Sequence, residues 1–208
     1  MLSSRAVRPT CRRCLRPETF CVCGGLGPIP SRTRVVLLQH PREARLAICS
    51  ARLTRVALEN AELHRGLSFE DHPRVREVAT AEGTALLFPG GVDAGTAAAA
   101  PPRTLVVIDG TWLQAEKMLA ANPAIAALPR VAVSPGRPSG YGELRREPAE
   151  GHLSTIEAVA LALGALEADP ARFEPMVRAF HRMVELQLEC SRDERRTPRH
   201  RPSRAARV

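Results

Sequence analysis

Short unbroken apolar runs alternate with longer amphipathic stretches along this chain. RVVLLQH at 34–40 is apolar and closed by Pro41, and reads as a buried strand. TALLFPGG at 84–91 is a second such run, stopped by a proline and two glycines, and TLVVIDG at 104–110 is the clearest of all. PRVAVSP at 129–135 gives another short strand, and ELHRGL at 62–67 a weakly patterned one. Between them the spacing turns helical. Leu53, Val56, Ala57 and Asn60 share one side of 51–61, with Ser50 placed to cap its start. TWLQAEKMLAAN at 111–122 reads as a helix ended by Pro123. Residues 153–168 form a strong helix in which Ser154 and Glu157 have the capping-box spacing. The last amphipathic helix, 171–190, has Phe173, Met176, Val177, Phe180, Met183 and Val184 on its apolar face. Residues 89–102 and 135–152 read as loops, and no internal repeat is evident.

Continuous apolar strands alternating with helices predict an α/β fold, with a mainly parallel sheet covered on both faces. In such sheets ligands bind beyond the carboxyl ends of the strands. The chemistry is therefore expected just after Leu38, Leu87 and Ile108.

With 208 residues and 44% hydrophobic content, the chain can bury a full core. No apolar run approaches the roughly 20 residues of a membrane span, and the first residues lack the apolar stretch of a secretory signal, so a cytoplasmic protein is expected. The formal charge of +8 is unevenly placed: residues 1–34 carry +6, 35–191 carry −3, and 192–208 carry +5. A near-neutral middle with two basic ends suits nucleic acid better than a small neutral ligand. All but one of the 30 basic residues are Arg, Lys117 being the exception, and Arg presents a planar fork suited to phosphate. Aromatic residues make up only 3%, which argues against stacking on many bases. Three parts are expected: a Cys-rich module at 1–33, an α/β domain at 34–191, and a disordered Arg-rich tail at 192–208.

Four of the six cysteines, Cys11, Cys14, Cys21 and Cys23, fall within thirteen residues as C-x2-C, six residues, then C-x-C. A C-x2-C turn sets two thiolates on one side, and a second close pair completes a tetrahedron around zinc. Arg12, Arg13 and Arg16 favour the thiolate form. Two disulfides are the competing reading, but nothing here suggests export. Four thiolate ligands leave no open position, so such a zinc is structural. Cys49 and Cys190 read as packed or free thiols.

At the strand ends stand Gln39-His40-Pro41-Arg42-Glu43, Phe88-Pro89-Gly90-Gly91 and Asp109-Gly110-Thr111-Trp112. No G-x-G-x-x-G, P-loop or G-x-S-x-G pattern is present. Asp109 ends an apolar strand ahead of a glycine that lets a ligand approach the backbone. Partial desolvation raises the pKa of such a carboxylate and suits it to act as a base. The competing reading is an N-cap for the 111–122 helix, worth about 1 kcal/mol. Trp112 reads either as core or as a wall for a base or cofactor ring.

D-G-T-W followed by L-Q-A-E-K-M-L resembles the signature of the DTW-domain family. Four further features match it in order. They are the Cys cluster, the strand end His40-Pro41-x-Glu43, the strand end Leu87-Phe88-Pro89, and a Tyr141-to-Arg145 loop leading into Leu153-Ser154-Thr155-x-Glu157-Ala158. The match spans nearly all of 11–190. Two departures stand out. Cys49-Ser50-Ala51 occupies a stretch that is often Asn-Thr-Gly in the family, and Gly142 and Glu143 lengthen the Tyr141 loop.

The resemblance implies a SPOUT-like α/β fold with a C-terminal trefoil knot, and S-adenosylmethionine as co-substrate. It implies transfer of the 3-amino-3-carboxypropyl group to nitrogen 3 of a tRNA uridine, with release of methylthioadenosine. On that reading Asp109 takes the imide proton, and the enzyme's main task is alignment, because the sulfonium already leaves well. Leu87, Phe88, Pro89, Gly90 and Leu153 would cradle adenine and ribose, with Gly110, Thr111 and Trp112 beside them. Ser154 and Thr155, with the helix amides, would receive the carboxylate of the arm. Arg145 and Arg146 would hold the target phosphate or the arm's carboxylate, and His40, on the substrate side, would assist proton movement unless it is structural. Arg12, Arg13, Arg16 and the C-terminal tail would add salt-dependent affinity for the tRNA backbone. No protein partner is implied. The alternatives are a SPOUT-type RNA methyltransferase, which would leave S-adenosylhomocysteine, and a non-catalytic zinc-knuckle RNA-binding protein.

Overall fold

The apolar runs lie side by side as strands whose side chains alternate between two faces. In the computed structural model, which describes residues 9–134, 140 and 153–192, five parallel strands form one sheet in the order β2-β1-β4-β3-β5. They are β1 (Arg34–Gln39), β2 (Ala61–Arg65), β3 (Thr84–Asp93), β4 (Thr104–Asp109) and β5 (Arg130–Ala132). The helices are α1 (Ser50–Ala57), α2 (Pro73–Thr80), α3 (Ala94–Ala97), α4 (Trp112–Ala120), α5 (Pro123–Ala126), α6 (Thr155–Leu166) and α7 (Pro170–Arg192). The expected α/β class with a parallel sheet covered on both faces is what forms.

The period of two sorts the core into two layers. Val35, Leu37, Leu87, Leu105 and Val107 pack with side chains of α1, α3, α6 and α7. Val36, Leu38, Leu86 and Val106 pack with Val75, Val78, Met118, Leu119 and Ile125 of α2, α4 and α5. Phe173 and Phe180 of α7 are fully buried in the first layer, and each such ring contributes roughly 1.5–3 kcal/mol by leaving water.

This arrangement places the site. Adjacent β1 and β4 lead into helices on opposite faces, α1 in the first layer and α4 in the second. The chain thus diverges above their carboxyl ends and leaves a crevice there, the switch point at which open α/β sheets bind ligands.

Several boundaries differ from the sequence expectation for physical reasons. The 51–61 helix stops at Ala57, because Leu58 turns extended and bridges Ile29. Asn60 is not on a helical face. Its amide donates to the Ser31 carbonyl and its oxygen accepts from the Ser31 hydroxyl, both at 2.7 Å. The N-cap of α1 is Cys49, one residue before the Ser50 expected there. The stretch 89–102 is not all loop. β3 passes a bulge and pairs Val92 and Asp93 with β5, and Asp93 then caps α3 through the Gly95 amide at 2.9 Å. α2 was not expected at all, although its signal was present. Pro73 stands in the first turn, His72 Nδ1 accepts from Val75 N at 3.3 Å, and Val75 and Val78 share the buried side. The expected trefoil knot is not traced, and residues 135–139 and 141–152 lie outside the described residues. The tail 193–208 also lies outside them.

The bulge depends on one glycine. A Cβ at Gly91 would collide with the Arg130 backbone. Gly91→Ala is expected to destabilise the fold by on the order of 1–3 kcal/mol, the usual cost of overpacking. Urea denaturation checks this, and an unchanged midpoint would show that β5 can yield.

Candidate active site and metal centre

Gln39 and Asp109 are register partners at the ends of β1 and β4. Parity with Leu37 and Val107 sends both side chains to the α1/α6 face, where Gln39 is 0% and Asp109 6% exposed. Gln39 Nε2 donates to Asp109 Oδ2 at 2.8 Å and lies 3.1 Å from Cys49 Sγ. The Thr155 hydroxyl donates to Asp109 Oδ1 at 2.6 Å. Both carboxylate oxygens are therefore held by side chains from different elements. The starts of α1 and α6 meet here, capped by Cys49 and Ser154, and helix N-termini favour negative charge. Burial, and then the Asp109 charge, push the Cys49 thiol up. A raised thiol favours its neutral form, and Cys49 packs against the Gln39 amide. Gln39 Oε1 is buried and has no hydrogen-bond partner among the described residues. A buried acceptor left unmet costs about 1–3 kcal/mol, which marks it as a place for an incoming donor.

The capping alternative for Asp109 does not hold. Thr111 is the N-cap of α4, and with Gln114 it forms a capping box, the Thr111 amide donating to Gln114 Oε1 at 2.7 Å. Trp112 packs edge-to-face on Phe88 at 5.7 Å between centroids, and the Arg130 guanidinium lies 5.3 Å from the Phe88 ring centre. This ring contact ties the Leu87–Gly90 strand end to the Gly110–Trp112 turn. Gly90 has φ of +80° with open space around its α-carbon, a conformation that favours glycine.

The other expected residues fall as follows. Leu153 and Ser154 lead into α6, with Ser154 in the expected capping box. The Ser154 hydroxyl donates to Glu157 Oε2 at 2.6 Å, so both hydroxyls expected to meet a ligand, Ser154 and Thr155, bond within the protein. The His40 amide donates to the Asp109 carbonyl at 2.8 Å, and its Nδ1 accepts from Arg42 N at 3.2 Å. Tyr141, Arg145 and Arg146 lie outside the described residues. Gly140, ahead of them, donates to Glu157 Oε1 at 2.8 Å. Gln39 escaped sequence reading. Its only signal was its place beside His40, one residue inside a strand predicted to be wholly apolar.

Cys11, Cys14, Cys21 and Cys23 bring four sulfurs within 4.8 Å of one another and could hold a metal ion. The Cys14 and Cys21 sulfurs are 3.8 Å apart, about the edge of a tetrahedron with metal–sulfur bonds near 2.3 Å. All six cysteines are free thiols, so the disulfide reading fails. Backbone amides of Cys14 and Arg13 hold the Cys11 thiol down to about 6, while burial pushes Cys21 and Cys23 up. The module is fastened to the sheet domain by arginines. Buried Arg16 donates to the Phe20 and Ala47 carbonyls, each at 2.8 Å. Arg13 donates to Leu26 at 2.9 Å and Val56 at 3.4 Å, while Arg12 is exposed. Val22 and Leu26 join the same core as α1, α6 and α7.

A parallel α/β sheet with a buried, doubly held carboxylate at its switch point and a four-cysteine module is the class of protein defined here. The chain belongs to the DTW domain family, whose model matches residues 8–188. It is 32% identical over 192 residues to tRNA-uridine aminocarboxypropyltransferase 2 of Drosophila melanogaster, covering 88% of this chain and 76% of that one. It is 30% identical to the Macaca fascicularis protein of the same name, over 88% of this chain and 64% of the other. It is 28% identical to tRNA-uridine aminocarboxypropyltransferase A of Arabidopsis thaliana, over 86% and 81%. No solved structure matches the chain.

Proposed function

We propose that this chain is a tRNA-uridine aminocarboxypropyltransferase, with S-adenosylmethionine as donor and uridine nitrogen 3 as acceptor. The observation that carries the reading is the Gln39–Asp109–Thr155 constellation at the switch point, joined to the names borne by relatives over most of the chain. The imide N–H loses its proton to Asp109. The nitrogen lone pair forms a bond to the arm's terminal carbon, and the carbon–sulfur bond breaks toward sulfur, releasing methylthioadenosine. Gln39 and Thr155 hold the carboxylate so that its proton-accepting direction is fixed before the substrate arrives. The unmet Gln39 Oε1 suits the arm's ammonium, and the α6 backbone amides suit its carboxylate. The strand end Leu87–Gly90 with Gly110, Thr111, Trp112 and Leu153 would seat the adenosine. The four cysteines fit a structural zinc, which would supply a rigid fold to the module and no chemistry. Among the described residues no helix is long and apolar enough to cross a membrane. A tRNA substrate and reduced thiols suit a cytoplasmic enzyme.

The test is incubation with S-adenosylmethionine and unmodified tRNA, with mass spectrometry of both products. Methylthioadenosine together with 3-(3-amino-3-carboxypropyl)uridine is expected. S-adenosylhomocysteine with a methylated base would replace the reaction by methyl transfer.

A further inference from the structure

A groove of about 540 Å³ runs along α4 on the side facing the β1 and β2 strand ends, within the roughly 300–1,000 Å³ of ligand clefts. Its walls include Leu67, Leu113 and Met118, its cations are Arg42 and Lys117, and His40 adds an imidazole. Leu67 and Leu113 are 54% and 62% exposed, and among the described residues no carboxylate lines the groove. Several basic side chains elsewhere are occupied. Arg74 pairs with Glu62 and Glu77, Arg172 with Glu167 and Asp169, and Arg182 with Glu185 and Glu189. Arg13, Arg16 and Arg52 bind backbone carbonyls. Among the described residues the side chains of Arg42 and Lys117 have neither kind of partner, a property they share with Arg12, Arg45, Arg55, Arg65, Arg76 and Arg103, but these two stand together on one groove. Lys117 is also the chain's single lysine.

The groove begins beside the carboxyl ends of β1 and β4, on the sheet face opposite the Asp109 carboxylate. His40 follows Gln39, Thr111 stands two residues past Asp109, and both line its upper end. From there to Ala121 the helix rises about 15 Å, ten residues at 1.5 Å each. His40 Nδ1 is held by the Arg42 amide, which in the neutral ring leaves the proton on Nε2 as a donor. Apolar walls for base and sugar faces, unpaired cations for phosphates and an upper end beside the last residues of β1 and β4 together match one kind of ligand. We infer that this groove holds the RNA strand adjoining the reacting uridine, with Lys117 and Arg42 on its phosphates and Leu113 and Leu67 under its bases. The inference rests on the transferase reading for its substrate, but binding can be measured without turnover.

The experiment is fluorescence anisotropy of a labelled, unmodified tRNA transcript with the full chain, across a salt series, beside the transfer assay. Lys117→Gln and Leu113→Asn are expected to weaken RNA binding about tenfold each. Lys117→Gln should also lower the salt slope by roughly one. The KM for S-adenosylmethionine should stay within twofold. Arg178→Gln, on the other layer and paired with Glu174, should bind RNA like the wild type. Wild-type affinity in both groove variants overturns the inference, as does an equal loss from Arg178→Gln. If instead Leu113→Asn converts a dimer to a monomer in sedimentation with RNA affinity intact, the groove is a protein interface and the inference falls. Groove-dependent RNA binding without any transfer product would keep the inference and remove the transferase reading. Product formation with unaffected groove variants would do the reverse.

Discussion

Asp109→Asn is expected to lower kcat for aminocarboxypropyl transfer by roughly 10²–10⁴, the usual contribution of a positioned general base, while tRNA affinity is unchanged. Asparagine keeps the shape of the side chain but loses the charge and one acceptor. The groups around it make that loss specific. Gln39 Nε2 and the Thr155 hydroxyl both donate to the carboxylate, at 2.8 and 2.6 Å. An amide can accept from only one of them with its oxygen, and turns an NH₂ toward the other donor. Thr155→Val and Gln39→Leu provide the graded comparison. Each removes one donor and keeps the carboxylate, so each should cost less than Asp109→Asn and alter the pH profile of kcat. A carboxylate that only anchors the arm's ammonium gives a different result. The KM for S-adenosylmethionine would then rise by a factor similar to the fall in kcat, and the base assignment would be wrong. Asp109→Ala with product formed at the wild-type rate would remove Asp109 from the chemistry altogether.

How far the sequence revealed this site depended on what kind of signal each residue carries. Asp109 was legible because a carboxylate ending VVI in an otherwise apolar strand breaks a strong pattern. The β1, β4 and α6 elements were legible for the same reason, since continuous apolar runs and a Ser-x-x-Glu start each have a single structural reading. Gln39 was not, because its partner lies 70 residues away and only strand register makes them neighbours. Cys49 was read as packed or free, and the structure agrees, but its position against Gln39 follows from where α1 starts. α2 was missed although its proline and capping histidine were in view, because its two valines make too short an apolar stripe to stand out. The Ser154 and Thr155 hydroxyls were expected to face a ligand. They donate to Glu157 and Asp109 instead. The groove along α4 had no sequence signal, since it combines residues from two loops and one flank of a helix.

Removing the metal is expected to destabilise the whole chain and not only its first thirty residues. The four-cysteine cluster is small and holds little apolar surface, so a bound ion would be its main source of order. Its side chains nevertheless reach far. Val22 and Leu26 belong to the core shared by α1, α6 and α7. Arg16 bonds Ala47, two residues before Cys49, and Arg52 of α1 reaches back to the Cys14 carbonyl at 3.4 Å. Loosening the module would therefore free the segment that sets Cys49 against Gln39 and, through Gln39, Asp109. Cys14→Ser is expected to cost upward of about 4 kcal/mol, the range in which loss of a metal site falls. At about 2–4 °C per kcal/mol for a chain of this size, Tm should drop by roughly 8–16 °C, with kcat falling in parallel. Cys190→Ser lies outside the cluster and should lower Tm by less than a third as much. Elemental analysis should return one zinc per wild-type chain and less than half of that for Cys14→Ser. A metal-free wild-type chain with undiminished Tm would mean that the four thiols pack as a reduced cluster, and the structural-zinc reading would be lost.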